Sequence, residues 1–186
     1  MDGAPVYRLR SPRWRLLTAG EIAMASLLFH DAIDYPHVRI HAHRYMPFQP
    51  KNCAMTPNGS MYFHKSCCLV DFSTGSEHAR HWFMHEMVHV WQHQLGYPVR
   101  LRGAVRLGLR YQYTLAPDRV LADYNMEAQG DLLADYFVLL HLGSSAPMRQ
   151  SRYANDLALY RTVLAPFLAD PSDPANLPKG IIGRLF

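Results

Sequence analysis

Phe83-Met84-His85-Glu86-Met87-Val88-His89-Val90-Trp91-Gln92 carries two histidines four positions apart, with a glutamate directly after the first. The stretch contains no proline or glycine and is crowded with apolar residues, so it reads as a mostly buried helix. On a helix, residues four apart lie on one face, and His85 and His89 can both turn an imidazole toward one metal ion. Glu86 falls beside them, where its carboxylate can reach a water activated by that ion without ligating the ion itself. Left unpartnered, buried polar groups of this kind would each cost a few kcal/mol, so the pattern points to a bound cation. Zn2+ is the expected metal, because a catalytic zinc site takes a few protein ligands and keeps one position open for water.

The third ligand is narrowed by spacing. His93 lies eight residues after His85, about 12 Å along a helix, too far to share the ion. A longer motif with glycine and a third histidine would need those residues at 92 and 95, where this chain has Gln92 and Leu95. A glutamate from a second helix remains, and Glu127 stands early in an expected helix from Tyr124 to Leu142. Asp131, one turn later, is placed to accept a hydrogen bond from the outer ring nitrogen of His85 or His89. Asp135, a further turn away, is too distant from Glu127 to share the metal. For a donor to a developing oxyanion the candidates are Tyr97, Tyr111, Tyr113, His64, His81 and His141, and the sequence does not choose among them.

The rest of the chain builds a scaffold around these two helices. A length of 186 residues with 49% apolar content suits one domain with a proper core. Thr18-Ala19-Gly20-Glu21 predicts a capping box opening a helix from about Ala19 to Asp31. Val38 to His41 and Ser60 to His64 read as strands, with a third extended piece expected from Cys67 to Phe72. The motif helix is expected from Glu77 or His78 to Gly96. Alternation from Val105 to Leu115 predicts a strand, and the arginines at 100, 102, 106 and 110 read as its solvated face. A last helix is expected from about Arg152 to Ala169. The expected organisation is an N-terminal arm over 1–17, a domain over 18–170 and an extended tail over 171–186.

A net charge of +4 does not call for a nucleic-acid partner. No apolar run is long enough to span a bilayer, and Glu21 precedes the apolar stretch from Ile22 to Phe29, whose spacing reads as a capped helix rather than a secretory signal. The reading is of a chain made without a signal peptide. Three cysteines, Cys53, Cys67 and Cys68, have no zinc-ligand spacing, and pairing of Cys53 with either neighbour would need an oxidising compartment.

With these residues in hand a resemblance appears. His85-Glu86-x-x-His89 followed by Glu127 and Asp131 resembles the gluzincin pattern of metallopeptidases. The strings Phe83-x-His85-Glu86-Met87-x-His89-Val90-Trp91-Gln92, Tyr111-x-Tyr113 and Tyr124-Asn125-x-Glu127-x-Gln129-Gly130-Asp131 are similar to zincin domains associated with type VI secretion. These include domains fused to VgrG spike proteins and domains of Rhs-type toxins. The resemblance implies an α+β zincin-like metallopeptidase domain with a long active-site helix, a second ligand-bearing helix and a small sheet. It implies an antibacterial effector toxin acting on an amide in a protein or a peptidoglycan stem, delivered to the periplasm of target cells. A cognate immunity protein and a secretion-spike carrier are the partners it implies. The alternatives are a non-catalytic, zinc-containing binding module and a cytoplasmic housekeeping metallopeptidase.

Overall fold

The computed structural model describes residues 13–104 and 110–179. Two antiparallel helices form its centre: α2 (Glu77–Gln94) and α4 (Met126–Phe137). Around them stand α1 (Ala19–Phe29), the short α3 (Val99–Ala104) and α5 (Leu157–Ala169). A three-stranded sheet in the order β1-β2-β3 flanks them, built from Trp14–Leu16, Arg39–His41 and Met61–Tyr62. β1 pairs antiparallel with β2, placing Arg15 opposite Ile40, and β2 pairs parallel with β3. The architecture is α+β, as expected.

The predicted capping box is present: Thr18 Oγ1 accepts from Glu21 N, and Thr18 N donates to the Glu21 carboxylate. Glu21 is fully buried and does more than cap. It takes a two-pronged contact from Arg15, at 2.7 Å on each oxygen, and accepts from Phe72 N. One carboxylate thereby ties β1, α1 and the turn before α2 together, a geometry in which a buried ion pair is satisfied.

α2 begins at Ser76, whose side chain accepts from Ala79 N, and ends before Gly96, whose φ of +92° is the left-handed stop that glycine tolerates. Its apolar side centres on Trp91, fully buried against Phe29 and Phe167, with the indole N–H donating to Pro171 O. Its polar side faces α4 in evenly spaced rungs. His81 meets Asp135, His85 meets Asp131, and His89 meets Glu127. Each rung lies one turn on in α2 and one turn back in α4, so antiparallel packing brings two i, i+4 series, one on each helix, into a single line of three polar contacts.

The lowest rung is structural. Asp135, fully buried, accepts from His81 Nε2, from the backbone N–H groups of Arg149 and Gln150, and from the Tyr113 hydroxyl, which also meets Tyr160. Asp135→Ala would strand all of these donors, and a loss of about 3–5 kcal/mol is expected. Urea unfolding measures it, and a loss below about 1 kcal/mol would show that the network relaxes around the gap.

Four expectations change. Residues 105–109 of the predicted strand lie outside the described residues, and 110–115 is not a strand. Its backbone groups go to side chains instead: Arg152 donates to Tyr113 O, Tyr124 to Thr114 O, and Leu115 N to the Tyr153 hydroxyl. Arg100 and Arg102 sit on α3, not on a strand face. Cys67 to Phe72 forms no strand, and a single 3-10 turn follows over Phe72–Thr74. The second long helix starts at Met126 behind an Asn125 cap and gives way to a π-helical turn over Val138–Leu142.

The ends are also used. Trp14–Leu16, read as part of an arm, is an edge strand, and Pro171 and Asn176 accept hydrogen bonds from buried side chains of α2 and α4. Cys67 and Cys68 are free thiols. Among the described residues no helix is long and apolar enough to cross a membrane.

Candidate metal centre

Three donor atoms converge between α2 and α4. The Nε2 atoms of His85 and His89 stand 3.2 Å apart, and Glu127 Oε2 lies 3.3 Å from the first and 3.4 Å from the second. Ligands at about 2.0–2.1 Å from a tetrahedral zinc ion stand about 3.3–3.4 Å from one another. The triangle therefore has the size of one face of a zinc tetrahedron. Among the described residues it is the one cluster of three such groups able to hold a metal.

The outer ring nitrogens confirm which lone pairs face inward. His85 Nδ1 donates to Asp131 Oδ1 at 2.8 Å, and His89 Nδ1 donates to Gln92 Oε1 at 2.8 Å. Both rings thus turn an unprotonated Nε2 to the same point whenever they are neutral. Two lone pairs and a carboxylate meeting in a buried space repel one another unless a cation lies between them.

Protons can supply that charge when a metal does not. Burial works against a charged His85, but the carboxylates of Asp131 and Glu127 override it and push its pKa up to about 10. His89 shifts upward despite its burial, chiefly through Glu127. Burial alone would raise Glu127, yet the facing imidazoles hold it well below the usual carboxylate range.

Glu86 does not join the triangle. Its carboxylate is buried and accepts from the Thr56 hydroxyl at 2.6 Å. Both line a cavity of about 680 Å³ that also exposes His85, His89 and Glu127 and is walled by Tyr45, Met55, Val99 and Tyr111. A carboxylate fixed beside the cluster and open to a cavity can exchange a proton with whatever occupies it.

The oxyanion candidates separate by position. Tyr111 lines the cavity, is 55% exposed, and lies over His85 with ring centres 6.0 Å apart. Tyr113 and His81 are buried and committed to Asp135, and burial with that carboxylate drives the Tyr113 phenol far up. His64 bonds Ser66, His141 packs on Phe137, and Tyr97 lies past the end of α2; none of the three lines the cavity among the described residues.

Thr56, Gln92, Gln129 and Gly130 carry the site without having been assigned roles from sequence. Gln92 had a signal, since it lies three residues after His89 and so on the same face. Thr56 had none, because the loop that brings it to Glu86 is far away in the chain.

No family model matches the chain. The type VI secretion system spike protein VgrG2b of Pseudomonas aeruginosa is 44% identical to it over 131 residues, which is 67% of this chain and 13% of that protein. The solved structure of the effector domain of Pseudomonas aeruginosa VgrG2b superposes with a TM-score of 0.64 at 42% identity, covering 75% of this chain and 82% of that one. The chain belongs to the VgrG2b effector-domain family. It spans about an eighth of the length of the curated spike protein, and the similarity is to the effector portion.

Proposed function

We infer that this effector domain is a zinc-dependent, zincin-type metallopeptidase, and that it acts as an antibacterial toxin of a type VI secretion system. The single observation that carries the enzymatic reading is the donor triangle of His85, His89 and Glu127 with the Thr56-held Glu86 beside it. Zinc bound there would supply Lewis acidity, polarising a carbonyl and lowering the pKa of water from about 16 to about 7. His85 and His89 would hold it through Nε2 and Glu127 through Oε2. Glu86 would take a proton from the attacking water and return it to the leaving amine nitrogen. Tyr111 is the one of the oxyanion candidates named from sequence whose side chain borders the same cavity, and its hydroxyl would donate to the oxyanion.

The cavity wall favours an extended chain as substrate. Met55 exchanges both backbone hydrogen bonds with Tyr62, and strand alternation turns the backbone groups of its neighbours Ala54 and Thr56 the other way. Both neighbours line the cavity. Met46, Met55, Pro57, Val99 and Met126 make its wall largely apolar, which suits side chains of a protein better than the polar peptide stem of peptidoglycan. Similarity to a spike protein supports delivery with a spike carrier into a rival cell, opposed there by an immunity protein. Incubating the zinc-loaded chain with denatured casein, and separately with isolated peptidoglycan, tests the activity. Chelator-sensitive cleavage of casein is expected; cleavage unchanged by a chelator, or absent from both substrates, contradicts the reading.

A further inference from the structure

His85 and His89 are held by different chemistry. Asp131, a carboxylate, can only accept, so it fixes His85 Nδ1 as the protonated nitrogen by itself. Gln92 is an amide, and an amide can present either its oxygen or its NH2 group. What it presents to His89 is decided elsewhere.

The decision starts at two backbone carbonyls. Gln129 Nε2 donates to Leu121 O at 2.9 Å and to Asn176 O at 3.0 Å, and carbonyls offer no alternative role. The Gln129 oxygen must then face the other way, where it accepts from Gln92 Nε2 at 2.9 Å. Gln92 Nε2 also donates to Met126 O at 3.2 Å. With its NH2 group committed twice, Gln92 has only its oxygen left for His89 Nδ1. Turning Gln129 over would oppose like groups at all three of its contacts, and turning Gln92 over would do so at Gln129 and Met126, leaving only His89, whose tautomer can switch, able to adapt. Gln92 and Gln129 are both fully buried, so no solvent is at hand to repair such a mismatch.

We propose that Gln92 and Gln129 are positioning residues of the metal centre, forming an amide relay that runs from Leu121 O and Asn176 O to His89. The relay fixes His89 as the Nδ1–H tautomer and aims its Nε2 at the point shared with His85 and Glu127, without adding a negative charge to the site. Outer partners of metal-bound histidines typically change metal affinity 10–100-fold when removed. The relay also makes the segment around Asn176, distant in sequence, part of the site's construction.

The proposal rests on the metal reading given above, and zinc alone is the probe that separates the two. Zinc affinity of the full chain is measured by competition with a chromophoric chelator for wild type, Gln92→Leu and Gln129→Leu. Long-range 1H–15N spectra of the zinc-loaded proteins then report which ring nitrogen of each histidine carries the proton and how fast it exchanges. Gln92→Leu is expected to weaken zinc 10–100-fold and to lose or unprotect the His89 Nδ1–H signal, while the His85 signal, held by Asp131, stays in place. Gln129→Leu leaves the contact between Gln92 and His89 intact and is expected to weaken zinc several-fold, with faster exchange at His89 alone.

A purely structural role would disturb both histidines together or neither, and that result overturns the relay, as does wild-type affinity in both variants. Should Gln92→Leu fail to fold, Gln129→Leu decides by the same two readouts. A wild type that binds no zinc refutes the metal reading itself, whereas a wild type that binds zinc beside variants that bind it equally well refutes only the relay.

Discussion

Glu86→Ala is expected to abolish amide hydrolysis while leaving zinc in place. Glu86 contributes no atom to the donor triangle, so its removal costs the centre no ligand. It is, however, the one carboxylate lining the cavity among the described residues that lies outside the donor triangle, and general-base catalysis by such a group contributes about 10²–10⁴ in rate. Thr56→Val, which removes only the 2.6 Å contact that orients Glu86, is expected to cost less, about tenfold. Turnover of a protein substrate beside the zinc content of each variant checks both. Hydrolysis that survives Glu86→Ala would rule out the mechanism, and zinc lost from Glu86→Ala would mean that Glu86 holds the metal after all.

Gly130→Ala should weaken the centre's hold on zinc without removing a ligand. Gly130 lies on α4 between the rungs made by Glu127 and Asp131, and a Cβ there would stand 2.6 Å from His85 Cε1 and 2.8 Å from Nδ1. The imidazole has no room to retreat, since it is buried and tied to Asp131 on the adjacent residue. It must give up either that bond or its approach to His89 and Glu127. The substitution itself suits a helix, where alanine is favoured over glycine by about 1 kcal/mol, and this partly offsets the overpacking. The expected result is a folded protein whose zinc affinity has fallen about 10–100-fold. Circular dichroism in the presence of a chelator checks the fold, and chelator competition checks the affinity. Wild-type affinity in Gly130→Ala would show that α4 moves away from α2 at little cost.

Local chemistry explains which features could be read from the sequence. The cap at Thr18, the stop at Gly96 and the pairing of His85 with His89 each depend on residues within one or two turns, and all are present as expected. Glu127 and Asp131 could be found because helix periodicity puts them on one face, and antiparallel packing then carries that face onto α2. The stretch 110–115 misled because alternation of large residues describes a strand and also a segment held by side chains, and only the tertiary partners Tyr124, Arg152 and Tyr153 distinguish them. Thr56 and the carbonyls of Leu121 and Asn176 matter solely through contacts made across the fold, so no local pattern marks them. The 38 positions from His89 to Glu127 include α3 and, in the described portion, a segment anchored by side chains.

The most direct test of the metal centre is elemental analysis of the wild-type chain beside Glu127→Ala, both purified without added metal. About one zinc per wild-type chain and a large loss in the variant are expected, because Glu127 supplies one of three donors and the charge that balances the cation. Equal zinc in both proteins, or zinc in neither, would contradict the account.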